Sequence, residues 1–307
     1  MYKIDCGDEI MKDYFRDLLV ENIDEAKVIL TGVPFDKNAS IGKGASKAPQ
    51  VMRELSASEP ALSMDGDDIS ACKIFDTGDV TYEGEDDVTY FAKVSKHLDQ
   101  TLNTNKFNLV VGGDHSIAIA SELSFLNYAK KHHKKPLIIH IDAHPDICDV
   151  YEGSKYSHAC PIRRAIDNGY STKDIILIGI RGFEKQEVEY FALHPEIKMF
   201  NASFIHNNGI EPIFKYLKEK ISDEYMVYLS YDIDANDPSF APGTGTPEAF
   251  GVNSLDVMKI LCFIVRNFNV PMMDIVEIAP PLDINDITTW LGIKDLYEVF
   301  KQLLLKE

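Results

Sequence analysis

The chain has 307 residues, 45% hydrophobic and 26% charged, the balance of a globular protein able to bury a large core. Its 49 acidic against 31 basic residues give a net charge of −18, which argues against a nucleic-acid binder. The excess suits a small cationic partner, although an acidic surface kept for solubility explains it equally well. Five scattered cysteines (Cys6, Cys72, Cys148, Cys160, Cys262) form no CxxC pair, which argues against a disulfide framework. The start, "MYKIDCGDEIMKDYF", has no apolar leader core, and no run of about 18 apolar residues is present to span a membrane, so a cytoplasmic location with no membrane partner is expected.

In chain order, eight short apolar runs recur: "AKVILTGVPFD", "CKIFDTGDV", "FNLVVGGDHS", "PLIIHIDAHPD", "DIILIGIRG", "IKMFNASFIH", "YMVYLSYDIDA" and "PMMDIVEIAPP". Near-continuous Val/Ile/Leu runs separated by helix-compatible stretches predict a mostly parallel sheet of about eight strands covered on both faces, in one α/β domain over residues 1–307. Two stretches have helical apolar spacing: "SIAIASELSFLNYAKKHHKK", expected to start with Ser116 as N-cap, and "VNSLDVMKILCFIVRNF", with Asn253 or Ser254. Lys131 to Lys135 read as the solvated end of the first helix.

Polar groups stand where the apolar runs end: His115; Asp142, His144 and Asp146; Asp232 and Asp234; Glu277. In "KPLIIHIDAHPD" they fall at every second position, the spacing that places side chains on one face of a strand. Ligands of parallel sheets bind at the carboxyl ends of strands, so these groups are expected to converge on one crevice. Clustered buried carboxylates repel unless a cation lies between them. His140, deeper in the strand, reads as support for the ligands or as core, and Asp114 as a structural hydrogen-bonding residue. Gly112 and Gly113 read as glycines allowing close backbone approach near the metals.

Two other patterns fail. "KNASIGKGAS" lacks the glycine and the Ser/Thr of a phosphate loop, at Lys37 and Gly44. "DIDAND" starts like a calcium loop, but Asp237 replaces its turn glycine and Gly243 its bidentate glutamate. Four carboxylates and two imidazoles with no thiolate suit a hard or borderline divalent ion such as Mn²⁺, and six side chains exceed the needs of one tetrahedral ion. If two carboxylates bridge, they serve two ions roughly 3.5–4 Å apart, a spacing at which a shared water becomes a strong nucleophile.

"GGDHS", "DAHPD", "SYDIDANDPSFAPGTGTP" and "VEIAPP", with "GVPFD" and "DTGDV", resemble the signatures of the ureohydrolase family, the arginase and agmatinase group, over nearly the whole chain. The resemblance implies a three-layer α/β/α fold, two Mn²⁺ per subunit, a trimer or hexamer, and hydrolysis of a guanidinium group to urea and an amine. One ion would be held by His115, Asp142, Asp146 and Asp232, the other by His144, Asp142, Asp232 and Asp234. A bridging hydroxide, steadied by Asp234 or Asp146, would attack the guanidinium carbon. Glu277 matches the glutamate that receives the guanidinium, and His158 in "KYSHAC" the histidine that carries protons to the leaving amine.

Arginases of this group carry asparagine where Cys148 stands, so agmatine, cleaved to putrescine and urea in polyamine biosynthesis, is the expected substrate. Asp149 or Glu152 would receive its ammonium end. Two departures bear on that pocket: Cys148 where agmatinases often have arginine, and Phe250 where the family repeats glycine. Other readings stay open: arginase, guanidinobutyrase or formiminoglutamase activity; an inactive regulatory relative; or a related deacetylase with one Zn²⁺.

Overall fold

The computed structural model describes residues 14–306, so the reading of the N-terminal stretch and of Cys6 falls outside the described residues. Eight strands form, one in each apolar run: β1 (Val28–Gly32), β2 (Ile74–Asp79), β3 (Phe107–Val111), β4 (Lys135–Ile141), β5 (Ile175–Ile178), β6 (Lys198–Phe200), β7 (Tyr225–Asp232) and β8 (Met272–Val276). They make one sheet in the order β2-β1-β3-β8-β7-β4-β5-β6, with every strand pair parallel.

Nine α-helices are present among the described residues: α1 (Ala48–Ser56), α2 (Asp87–Leu102), α3 (Ala118–Lys131), α4 (Pro161–Asn168), α5 (Lys185–Leu193), α6 (Ala202–Asn208), α7 (Glu211–Lys220), α8 (Ser254–Asn267) and α9 (Ile287–Leu305). They divide between two cores. Leu137, Ile139 and Ile141 of β4 and Val227, Leu229 and Tyr231 of β7 pack with α1 and α6 to α9. The alternate residues Ile138, Met226 and Tyr228 pack with α2 to α5. Period-two alternation thus feeds apolar side chains to both faces, giving three layers. No helix of the described residues is long and apolar enough to cross a membrane.

The capping differs in part from expectation. Asn253 caps α8, its side chain accepting from the Asp256 N–H. Ser116 caps nothing: the chain first makes a 3-10 turn at His115–Ile117, whose cap is Asp114, with its carboxylate accepting from the Ser116 N–H. A carboxylate two residues ahead of that donor outcompetes the shorter hydroxyl and orients the turn that carries His115. The helix also stops earlier than expected, at Lys131; Lys135 already begins β4 and pairs with Glu224 at 2.7 Å.

The close approach expected at Gly112 and Gly113 is found, and it is made to β8, the His115 turn and the Phe35 backbone. A Cβ on Gly112 would meet Val276 and Ile117 side-chain carbons at 2.8 and 2.9 Å. One on Gly113 would lie 1.7 Å from the Phe35 carbonyl oxygen, which itself accepts from the Asp114 N–H at 2.7 Å. Backbone cannot retreat as a side chain can. Gly113→Ala is therefore expected to lower stability by about 3 kcal/mol, measured by chemical denaturation, and an unchanged midpoint would show that this crossing is not pinned.

Candidate metal centre

β3, β8, β7 and β4 are consecutive neighbours at the middle of the sheet, and their carboxyl ends deliver His115, Glu277, Asp232 with Asp234, and Asp142. The convergence is direct: the His115 N–H donates to Glu277 Oε1 at 2.8 Å across 162 residues of sequence.

The His115 ring is oriented from behind. Ser230 Oγ, on β7, donates to Asp274 Oδ1 on β8 at 2.9 Å, which uses its single proton. It must then accept from His115 Nε2, 2.9 Å away. With the proton on Nε2, the lone pair of Nδ1 faces three carboxylate oxygens: Asp142 Oδ2 at 2.9 Å, Asp146 Oδ2 at 3.0 Å and Asp232 Oδ2 at 3.2 Å. Neither Nδ1 nor Asp142 Oδ2 has a hydrogen bond among the described residues. Only a cation between them relieves such a set. A proton is one such cation: burial lowers the basicity of the ring, yet the facing carboxylates of Asp142, Asp146 and Asp232 outweigh it and raise the His115 pKa well above its usual value.

A second group shares Asp142. His144 Nδ1 lies 3.1 Å from Asp234 Oδ2 and 3.5 Å from Asp142 Oδ1. In each of two sets, His115/His140/Asp142/Asp146 and Asp142/His144/Asp234, the donor atoms lie within 4.8 Å of one another, close enough to hold a metal ion. Burial, then the charges of Asp234 and Asp142, push the Asp232 carboxyl well above the carboxylate range. Burial and the Asp142 charge likewise raise Asp234. These groups carry more negative charge than a buried site tolerates alone.

Strand alternation does not place all three polar residues that follow "KPLIIHI", Asp142, His144 and Asp146. β4 ends at Ile141, and Asp146 sits at φ 51°, so His144 and Asp146 are aimed by a loop. Asp146 and Glu277 (φ 63°) both occupy left-handed backbone, strain that the surrounding contacts hold in place. His140 stacks on His115 at 4.8 Å, and its Nε2 faces the His144 carbonyl at 3.0 Å and Asp142 Oδ2 at 2.9 Å. Donation to the His144 carbonyl braces the ligand loop and leaves Nε2 no lone pair for a metal.

A cavity of about 470 Å³ opens above this cluster, lined by His115, His144, Asp146, Asp232 and His158 together with Ser40, Tyr151, Glu152, Glu184, Glu187 and Glu248; no Lys or Arg lines it. His158 is buried, with Nδ1 3.1 Å from Glu277 Oε1. Its Nε2 faces the N–H of Ser40 at 3.2 Å, which suits the neutral ring, and the Ser40 hydroxyl at 2.9 Å, which can accept from the protonated one. Burial lowers the basicity of this ring, but its hydrogen bond to Glu277 and the charges of Glu277, Asp146 and Asp114 raise its pKa to about 9.

The amine-end residues require a correction. Asp149 does not line the cavity; its carboxylate is held by Arg164 Nη2 at 2.7 Å. A strong cation one helix away takes the carboxylate that sequence proximity assigned to the substrate. Glu152 does line the cavity. Cys148 is fully buried and Phe250 is 82% exposed, and neither reaches the lining, so neither departure acts by direct contact. The acidic residues missed from sequence are Glu184, Glu187 and Glu248. Glu184 and Glu187 form the capping box that opens α5, a pattern legible in "EKQE". Ser40 lies in the stretch set aside as a failed phosphate loop.

Because Ser230 fixes the protonated nitrogen of His115, Ser230→Ala is expected to weaken divalent-metal binding about 10–100-fold while the fold persists. Metal titration of the chelator-treated protein checks this; unaltered affinity would mean that the ring needs no such partner.

Similarity to known proteins identifies the family. Residues 26–301 match the model of the Arginase family. A guanidinobutyrase of Pseudomonas aeruginosa is 30% identical over 284 residues, 90% of this chain and 86% of that protein. An agmatinase of Bacillus cereus is 32% identical over 280 residues, 91% of this chain and 92% of that one. The crystal structure of the agmatine ureohydrolase of Thermoplasma volcanium superposes with a TM-score of 0.84 at 30% identity, covering 97% of this chain and 96% of that one. The chain therefore belongs to the arginase family and is an agmatinase-like amidinohydrolase.

Proposed function

We propose that this amidinohydrolase holds two Mn²⁺ ions and hydrolyses agmatine to putrescine and urea. The observation that carries the substrate is the cavity wall: Glu152, Glu184, Glu187 and Glu248 line it and no Lys or Arg does. A guanidino acid would bring its carboxylate into that wall without a partner, whereas a guanidino amine brings an ammonium. An unpaired buried anion costs several kcal/mol. This separates the agmatinase reading from the guanidinobutyrase one, which the Pseudomonas relative otherwise supports equally.

The donor set fits the metals. Four carboxylates (Asp142, Asp146, Asp232, Asp234) with two neutral imidazoles carry a formal charge that two divalent ions neutralise, whereas one ion leaves half of it buried. The absence of thiolate favours manganese over a structural zinc. When bound, the ions supply a water acidic enough to be a nucleophile at neutral pH. The remaining roles fall to the chain. Asp146 or Asp234 accepts a hydrogen bond from that water. Glu277 receives the planar guanidinium, and His158, bonded to the same carboxylate, returns a proton to the leaving amine. Glu152 stands with Glu184 and Glu248 as an acceptor for the ammonium.

Two outcomes are expected. With the manganese-loaded protein, kcat/KM for agmatine exceeds that for arginine and for guanidinobutyrate by at least about a hundredfold, roughly 2.7 kcal/mol. Steady-state urea release measures this, and comparable values for agmatine and either acid would sink the substrate. His158→Asn lowers kcat by about 10²–10⁴-fold with both metals retained, and loss of a metal instead would overturn its role. The same variant reports on pH. His158 has its folded pKa raised to about 9, above the usual 6.5 or so, so the stability it contributes to the metal-free protein is full below about pH 6.5 and is lost as pH rises through about 9.

A further inference from the structure

Arg181, in the loop after β5, makes no ion pair with any carboxylate of the described residues although it is half-buried beside an acidic centre. Its guanidinium donates instead to backbone carbonyls. Nη2 reaches those of Asp234 at 2.7 Å, Asn236 at 3.1 Å and Glu248 at 2.8 Å. Nη1 reaches Ala235 at 3.2 Å and Gly179 at 3.3 Å, and Nε reaches Glu248 at 3.2 Å and Ala249 at 3.1 Å. The backbone adds a third segment: the N–H groups of Arg181 and Gly182 donate to the Ala143 carbonyl at 2.7 and 2.9 Å.

The three segments gathered this way share one property. Ala143 lies between Asp142 and His144, the Asp234–Asn236 carbonyls belong to the turn carrying Asp234, and Glu248 Oε1 stands 3.8 Å from His144 Nε2. Together they carry the whole second group of donors and Glu248 of the acidic wall beside it. The first group hangs from other supports, with His115 held through Asp114 and Ser230. The neighbouring glycines keep the space open. A Cβ on Gly182 would lie 2.6 Å from the His144 ring, and one on Gly251 would lie 2.7 Å from Arg181 Nη2.

Asp234, Ala235 and Asn236 are buried, so their carbonyls need donors, and a fixed planar fork of five N–H groups supplies them where no strand continues. A lysine could satisfy only part of this set. A residue that merely filled a gap would stabilise the fold evenly, but this one ties a single half of the centre.

We propose that Arg181 is the positioning residue of the second metal half-site, its guanidinium holding the Asp234 turn and the Glu248 segment in register beside His144; this rests on the two-manganese reading above. The test uses the full-length protein and two substitutions, Arg181→Met and Arg181→Lys. Manganese titration, followed by the signal of free Mn²⁺ in magnetic resonance, is expected to show the first ion bound as in wild type and the second weakened about 10–100-fold in both variants. In the metal-free protein, hydrogen exchange of the Asp237 and Val252 amides, which bond across these loops, is expected to quicken while that of the His115 turn does not change.

Wild-type protein that takes up fewer than two ions would overturn the two-manganese reading, and the exchange pattern would still judge Arg181. Exchange unchanged in both variants, or quickened uniformly with equal loss of both ions, would overturn the positioning role. Full recovery by lysine would do the same, because it would make the charge and not the fork the operative feature.

Discussion

Four carboxylates are brought within a few ångströms of one another under cover, and the rest of the structure depends on that repulsion being answered. Asp142, Asp146 and Asp232 all point an oxygen at His115 Nδ1, and Asp234 points one at His144. In low dielectric such repulsion raises carboxylate pKa values where no cation answers it, the direction seen at Asp232 and Asp234, whereas at Asp142 the imidazoles of His140, His115 and His144 outweigh burial and hold the carboxyl well below the usual range. The surrounding hydrogen bonds serve this end. Ser230 and Asp274 turn a lone pair of His115 inward, His140 braces the loop of Asp142 and His144, and Asp234 is held through the Ala143 N–H. Each support uses up a proton that would otherwise compete for the ligand atoms.

The sheet makes this affordable. Parallel strands end their hydrogen-bonded ladders on one edge, and here the four middle strands, β3, β8, β7 and β4, end together. Their apolar lengths are buried on both faces, so the polar ends are anchored by the best-packed part of the molecule. The strained residues Asp146 and Glu277 follow β4 and β8, whose cores can hold an unfavourable backbone angle at their tips.

The strands were legible because an apolar run bounded by turn residues is a strong local signal, and all eight runs became strands. The convergence was legible too, since a parallel sheet dictates which strand end faces the ligand. What sequence could not carry was loop geometry. Alternation predicted that His144 and Asp146 continue the β4 face, but the strand stops at Ile141 and a left-handed residue resets the direction. Asp149 looked available because nothing local showed Arg164, fifteen residues on, closing over it. Asp114 has the structural hydrogen-bonding role expected of it, but nothing local showed that its bond would be to the Ser116 N–H and so take the capping position from Ser116. Glu184, Glu187 and Glu248 come from loops and a helix start that carry no chemical signature of their own.

The same limit explains why substrate choice is the least local property of the molecule. The residues beneath the cavity are set by strand ends, and the similar proteins include both a guanidinobutyrase and an agmatinase. The wall above them is assembled from segments near residues 40, 150, 184 and 248, which meet only in the folded chain. In this protein those segments bring four glutamates to the wall and no Lys or Arg, and the molecule as a whole is acidic at −18. The near field of the wall and the far field of the surface therefore have one sign. Ligands that keep a positive charge at both ends are drawn by the second and retained by the first, whereas a zwitterion gains little from either.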